Sequence, residues 1–181
     1  MTENTIPATL PPIALVVMGV SGCGKSSAGQ AIAQQLGWQL VEGDTYHAPE
    51  SVAKMAAGIA LTDADREGWL ARLAALLAAA DAQHGVVLTC SALKRKYRDQ
   101  LRATQPRLGF VFLDLDYETA LVRVQTRGGH FFSPELVANQ FATLQDPRTE
   151  PDVLTLKATE PLAGIALAAQ QWVNAMPLAQ Q

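Results

Sequence analysis

Lys25 and Ser26 close the run Gly19-Val20-Ser21-Gly22-Cys23-Gly24-Lys25-Ser26, an ammonium and a hydroxyl preceded by three glycines. This G-x-x-x-x-G-K-[ST] spacing suits a polyphosphate. The glycines let the backbone turn tightly enough to aim successive N–H groups at phosphate oxygens, the lysine reaches the terminal phosphates, and the hydroxyl can ligate magnesium. Ser27 continues the cradle into the next element. The flanks agree, because Ile13 to Met18 is an apolar run that reads as a buried strand and Ser26 to Leu36 reads as a helix. The loop predicts binding of a nucleoside triphosphate.

A second set of residues carries acid–base and charge chemistry. Glu42-Gly43-Asp44, followed by His47, offers two carboxylates around a glycine. Asp44 is a general-base candidate for an attacking hydroxyl and Glu42 a candidate to hold magnesium through water. A turn aspartate that caps backbone amides has the same spacing, and an exposed turn histidine would explain His47. Further on, Lys54, Asp63, Asp65 and Arg66 surround a glycine-bearing linker; the acids fit a helix start, which leaves Lys54 and Arg66 as ligand candidates. Arg95, Arg98 and Arg102 fall at i, i+3 and i+7, one face of a helix where a carboxylate or phosphate would dock through Arg98, although a lone basic helix is more often a solvated face. Arg123 and Arg127 flank Gly128-Gly129-His130, the composition of a hinged lid whose arginines neutralise transferring phosphate, and equally of an ordinary helix end.

These groups need a frame that gathers them. Strands are expected at Ile13–Met18, Gln39–Val41, Val86–Cys90, Gly109–Leu113 and Val153–Leu156, with helices at 25–36, 50–57, 65–82, 92–103, 116–127, 134–144 and 160–174. Such alternation predicts a three-layer α/β/α domain on a five-stranded parallel sheet. Asp63, Ser91 and Ser133 are the expected helix caps. Ligands bind outside the carboxyl ends of such strands, which selects Gly19–Ser26, Glu42–His47, Cys90–Arg98 and Asp114–Asp116.

The chain has 181 residues, of which 49% are hydrophobic, enough for one compact domain. Residues 13–176 are expected to form it, after a loose lead-in over 1–12 and with a lid near 127–134. A formal net charge of -3 speaks against a surface built for nucleic acid or anionic membrane. Cys23 and Cys90 make neither a disulfide framework nor a zinc spacing, so reduced thiols in a cytoplasmic protein are expected. No signal-type or membrane-spanning segment is read from the sequence.

Together the blocks G-V-S-G-C-G-K-S, E-G-D-T-Y-H, K-M-A-A-G-I-A-L-T-D-A-D-R-E-G-W-L, C-S-A-L-K-R-K-Y-R-D-Q-L-R and G-H-F-F-S-P-E-L-V-A-N-Q-F-A-T-L-Q-D-P resemble the P-loop gluconate kinases, relatives of shikimate and adenylate kinases. The resemblance implies transfer of the ATP γ-phosphate to the 6-hydroxyl of D-gluconate with Mg2+, giving 6-phosphogluconate, and a homodimer. It implies that Gly19 to Ser27 with Arg123 and Arg127 hold the nucleotide and that Lys25, Asp44 and Arg127 serve catalysis. It extends the acceptor pocket to Asp44, His47, Lys54, Arg66, Ser91, Arg98 and His130. The chain departs from the family pattern at Ser51, where asparagine is usual, at Ala60 for proline and at Glu42 for aspartate. Thr89, Cys90 and Ser91 stand where many P-loop proteins end the third strand on an acid, so magnesium is expected on Ser26 and waters. Two rival readings are another small-molecule kinase of this fold and a slow nucleotide-hydrolysing switch, though a guanine-specific N-K-x-D segment is missing.

Overall fold

A computed structural model of the chain describes residues 11–127 and 133–175. The five strands are β1 (Ala14–Met18), β2 (Gln39–Glu42), β3 (Val86–Thr89), β4 (Leu108–Asp114) and β5 (Val153–Lys157), all parallel in the order β2-β3-β1-β4-β5. All match an expected strand to within one residue at each end. The helices are α1 (Lys25–Leu36), α2 (Pro49–Ala56), α3 (Asp63–Ala78), α4 (Arg95–Thr104), α5 (Tyr117–Thr126), α6 (Val137–Thr143) and α7 (Leu162–Ala175).

β1 explains the layering. Its five residues are wholly buried, and successive side chains point to opposite faces, as strand geometry requires. Leu15 and Val17 join Ile32 of α1 and Ile165, Ala169 and Val173 of α7 on one face. Ala14, Val16 and Met18 join Trp69, Leu73 and Leu77 of α3 and Tyr97 and Leu101 of α4 on the other. The sheet is therefore covered on both sides, and its loops at the carboxyl edge are what remain free to bind.

Three helix starts differ from expectation. Thr62, rather than Asp63, caps α3: its hydroxyl accepts from the Asp65 amide while the Asp65 carboxylate takes the Thr62 amide. α3 stops at Ala78 instead of 82, because the Asp81 carboxylate draws the Gln83 and His84 amides into a turn. Ser91 caps no helix, since α4 begins only at Arg95. Ser133 precedes a short 3-10 turn, Pro134–Leu136, with no side-chain cap bond. Of the expected lid, Gly128 to Phe132, including His130, lies outside the described residues. Among the described residues no helix is long and apolar enough to cross a membrane.

Candidate active site

The loop after β1 turns on three glycines with φ of 146°, 85° and 90° at Gly19, Gly22 and Gly24, values an L residue rarely adopts. Gly24 hands the chain directly to α1, so the first amides of that helix face the same space as the loop. Lys25 folds its ammonium back, donating to the carbonyls of Gly19 (3.1 Å) and Val20 (3.0 Å). Cys23 is buried, which pushes its thiol pKa up. The Ser21 amide is engaged by the protein itself, donating to the Gln140 side-chain oxygen of α6 at 2.6 Å. Nothing in the local sequence marks Gln140, and its role emerges only from the fold.

β2 and β3 bring the acidic turn beside this loop. Glu42 Oε2 accepts from the Ser26 hydroxyl (3.1 Å) and from the Thr89 hydroxyl (2.6 Å). These are hard oxygens around one point, a set that suits magnesium completed by waters. Among the described residues no cluster of three or more His, Cys, Asp or Glu groups could cage a metal. Gly43 follows, its amide donating to Thr89 Oγ1 (3.3 Å) and its carbonyl accepting from Trp69 Nε1 (2.8 Å). Asp44 sits next in a 3-10 turn with its side chain 44% exposed.

His47 is no exposed turn residue. Its side chain is 4% exposed and its ring stacks on Trp69 at 4.2 Å between centroids, with Nε2 3.8 Å from Asp44 Oδ1. Burial, only partly opposed by the Asp44 charge, lowers its pKa from 6.5 to about 4. The imidazole is thus neutral at physiological pH and can serve as a hydrogen-bonding wall.

The other expected residues divide. Arg66 is half-buried, lies 5.8 Å from the Tyr97 ring and has no hydrogen-bond or ion-pair partner among the described residues. Its charge and that of Asp44 are both felt at His47 and at the buried Cys90 thiol, which burial pushes up to about 12. Arg66 lies one turn before Trp69 on α3, the residue on which His47 stacks. Lys54 pairs with Asp65 (2.8 Å), tying α2 to the start of α3. Ser91 is half-buried just beyond β3.

Arg98 corrects the expectation. It is fully buried and paired with Glu150, so it cannot meet a ligand. The face of α4 carrying Tyr97, Arg98 and Leu101 is the inner one. Asp114 and Asp116, also selected as strand-end residues, are structural: Asp114 pairs with Arg148 (3.0 Å) and Asp116 caps α5 through the Thr119 amide (2.8 Å).

On the far side of the loop, Arg123 donates to the Gly22 carbonyl (3.3 Å). It lines, with Gly22, Gly24, Thr126 and the exposed Arg127, a cleft of 290 Å³. An adjoining cleft of 260 Å³ is bounded by Ser27, Arg123, Ala158, Thr159, Leu162 and Ile165. The segment after β5 was missed, although the strand-end rule that selected the other four loops applies to it equally.

Residues 21–145 match the shikimate kinase family model. The chain is 46% identical over 155 residues to a gluconokinase from Gluconobacter oxydans (strain 621H), a match covering 85% of this chain and 87% of that one. The chain belongs to the gluconokinase family. A solved gluconokinase structure, from Sinorhizobium meliloti 1021, is 44% identical, has a TM-score of 0.81 and covers 91% of this chain and 93% of its own. An APS kinase from Mycobacterium tuberculosis, solved with AMPPNP and APS, shares the fold alone at 20% identity and TM-score 0.67, covering 92% and 99%. The fold is thus that of the P-loop kinases, and the family-model match over residues 21–145 takes in Ser21 to Ser26 of the phosphate loop, the acidic turn and the β3 loop together.

Proposed function

We propose that the protein is an ATP-dependent gluconokinase that phosphorylates the 6-hydroxyl of D-gluconate and releases 6-phosphogluconate. The observation that carries this is the 3.1 Å contact between Ser26 and Glu42, because it sets Asp44, two residues along, beside the phosphate loop. In this reading Lys25 leaves the carbonyls of Gly19 and Val20 for the β- and γ-phosphates, and the loop amides from Gly22 to Ser27 meet the remaining oxygens. The nucleoside lies toward Arg123, Thr159 and Leu162. Magnesium, held by Ser26 and through water by Glu42, neutralises phosphate charge when bound.

Gluconate lies between the β2 and β3 ends. Asp44 accepts the hydroxyl proton, and Arg66, the half-buried cation without a partner among the described residues, takes the substrate carboxylate. His47, Lys54 and Ser91 supply the polar wall. Arg127, at the exposed end of α5, meets the charge that develops on the transferring group. Cytoplasmic location and a homodimer belong to the same reading and rest on the family resemblance.

Mass spectrometry of the product formed from ATP and gluconate tests the proposal. A mass gain of one phosphoryl group on gluconate, with fragmentation placing it on C6, is expected. ADP release with shikimate or a nucleoside monophosphate but not with gluconate would overturn it.

A further inference from the structure

Every donor of Arg98 is spent inside the protein. Its Nε reaches Glu150 Oε2 (2.9 Å), Nη2 reaches Glu150 Oε1 and the Gln145 carbonyl (2.9 Å), and Nη1 reaches the carbonyls of Ala92 (2.7 Å) and Leu93 (3.0 Å). A guanidinium carries five N–H donors, and all five are used. The side chains of Arg98 and Glu150 are 0% and 3% exposed, and Arg102 adds a further bond to Glu150 Oε2 (2.9 Å). Burial alone would push the Glu150 carboxyl up, but the bonds from Arg98 and Arg102 together outweigh it and hold the carboxyl below its ordinary range. Buried ion pairs often contribute no more stability than apolar residues of the same volume, so net stability is a weak account of this one.

What the pair grips is more telling. Ala92 and Leu93 belong to the loop that leaves β3, and Ala92 has φ 44°, the left-handed region that L residues avoid. The chain after α6 grips the same loop from the other side: the Gln145 amide donates to the Leu93 carbonyl (2.9 Å) and its side-chain oxygen accepts from the Arg95 amide (2.6 Å). At its start the loop is tied to the sheet, with the Cys90 amide on the Val17 carbonyl (3.1 Å). Thr89, the residue before Cys90, bonds Glu42, which also holds Ser26, so the loop leaves the sheet beside the phosphate loop and the turn that carries the candidate base.

We propose that Arg98 and Glu150 are positioning residues: they lock the strained Ser91–Leu93 turn so that its polar groups meet the acceptor, a polyhydroxy carboxylate, in one fixed geometry. Neither residue touches substrate. The proposal rests on the gluconokinase reading for the identity of the acceptor, but its first test does not need one. In Glu150→Gln, amide hydrogen exchange of residues 90–94 in the free protein should quicken at least about tenfold relative to the rest of the sheet edge. Unchanged exchange there would overturn the lock.

The kinetic test follows. Release of the strained turn should raise the KM for gluconate about 5- to 30-fold, the equivalent of about 1–2 kcal/mol, while the KM for ATP stays within about twofold. Arg98→Lys, with three donors for five acceptor contacts, should behave the same way. Adding Ala92→Gly to Glu150→Gln should return part of the lost gluconate affinity, because glycine holds φ 44° without strain. A lowered melting temperature with both KM values unchanged, or a rise in both, would make the pair merely structural and refute the proposal. Absence of any phosphorylated gluconate with the wild-type protein would instead defeat the functional reading, leaving the exchange experiment to decide the lock.

Discussion

Substituting Gly43 by alanine probes how closely the sheet edge and the chemistry are joined. Gly43 is not among the residues with positive φ, so its glycine is required by proximity rather than by conformation. An ideal Cβ built there falls far inside contact distance of the Thr89 carbonyl, with Leu73 Cδ1 3.5 Å away. A backbone carbonyl cannot swing aside as a side-chain tip can. The ends of β2 and β3 must therefore part by about 1 Å to restore an ordinary contact. Overpacking of this kind costs about 1–3 kcal/mol, and at about 2–4 °C per kcal/mol the melting temperature should fall by about 2–12 °C. The same displacement moves Glu42 and Asp44, its two neighbours, and a 1 Å misplacement of positioned groups costs on the order of 100-fold in rate. In a coupled ADP-release assay at saturating ATP, Gly43→Ala should lose about that much kcat for gluconate, while ADP affinity stays within about threefold because the phosphate loop hangs from β1. A variant melting several degrees lower yet turning over at the wild-type rate would refute the reasoning.

Asp44→Asn should lower kcat by about 10²–10⁴-fold with nucleotide affinity preserved, and an unaltered rate in the same assay would remove Asp44 from the chemistry. Lys25→Ala should lower turnover by at least about 10²–10³-fold with an unchanged thermal melt, since the Lys25 ammonium touches only its own loop. His47 predicts a pH-dependent stability. Burial depresses its folded-state pKa from 6.5 to about 4, so the unfolded chain takes up this proton first as pH falls. The stability linked to His47 is fully present above pH 6.5 and is lost progressively down to about pH 4. Urea unfolding should show a wild-type loss of about 1 kcal/mol between pH 7 and pH 5, solvent screening included, and His47→Gln should flatten that slope. An identical slope in the variant would rule His47 out as its source.

The parts of the molecule legible in the sequence are those fixed by local rules. The phosphate loop is dictated by its own glycines, lysine and hydroxyl, and β1 by an unbroken apolar run that both faces of the sheet require. The β3 loop was less legible because its shape is set from afar: Arg98 and Gln145 capture the carbonyls that an earlier helix start would have used, and Glu150 lies 52 residues from its partner. Helical spacing places Arg95, Arg98 and Arg102 near one another but cannot say which face turns inward. The burial of His47 was not legible for the same reason, since it depends on Trp69, an α3 residue that reaches back to the Gly43 carbonyl. Gln140 and the segment after β5 enter the site only through the packing of distant elements.

The strand order carries a lasting consequence. With β1 at the middle of the sheet, the proposed function puts the phosphoryl acceptor on the β2 and β3 side and the nucleoside in the cleft on the β5 and α7 side. The two recognition tasks share little beyond the central strand and its loop. Drift in one half can therefore change what receives a phosphoryl group while the other half goes on recognising the same donor.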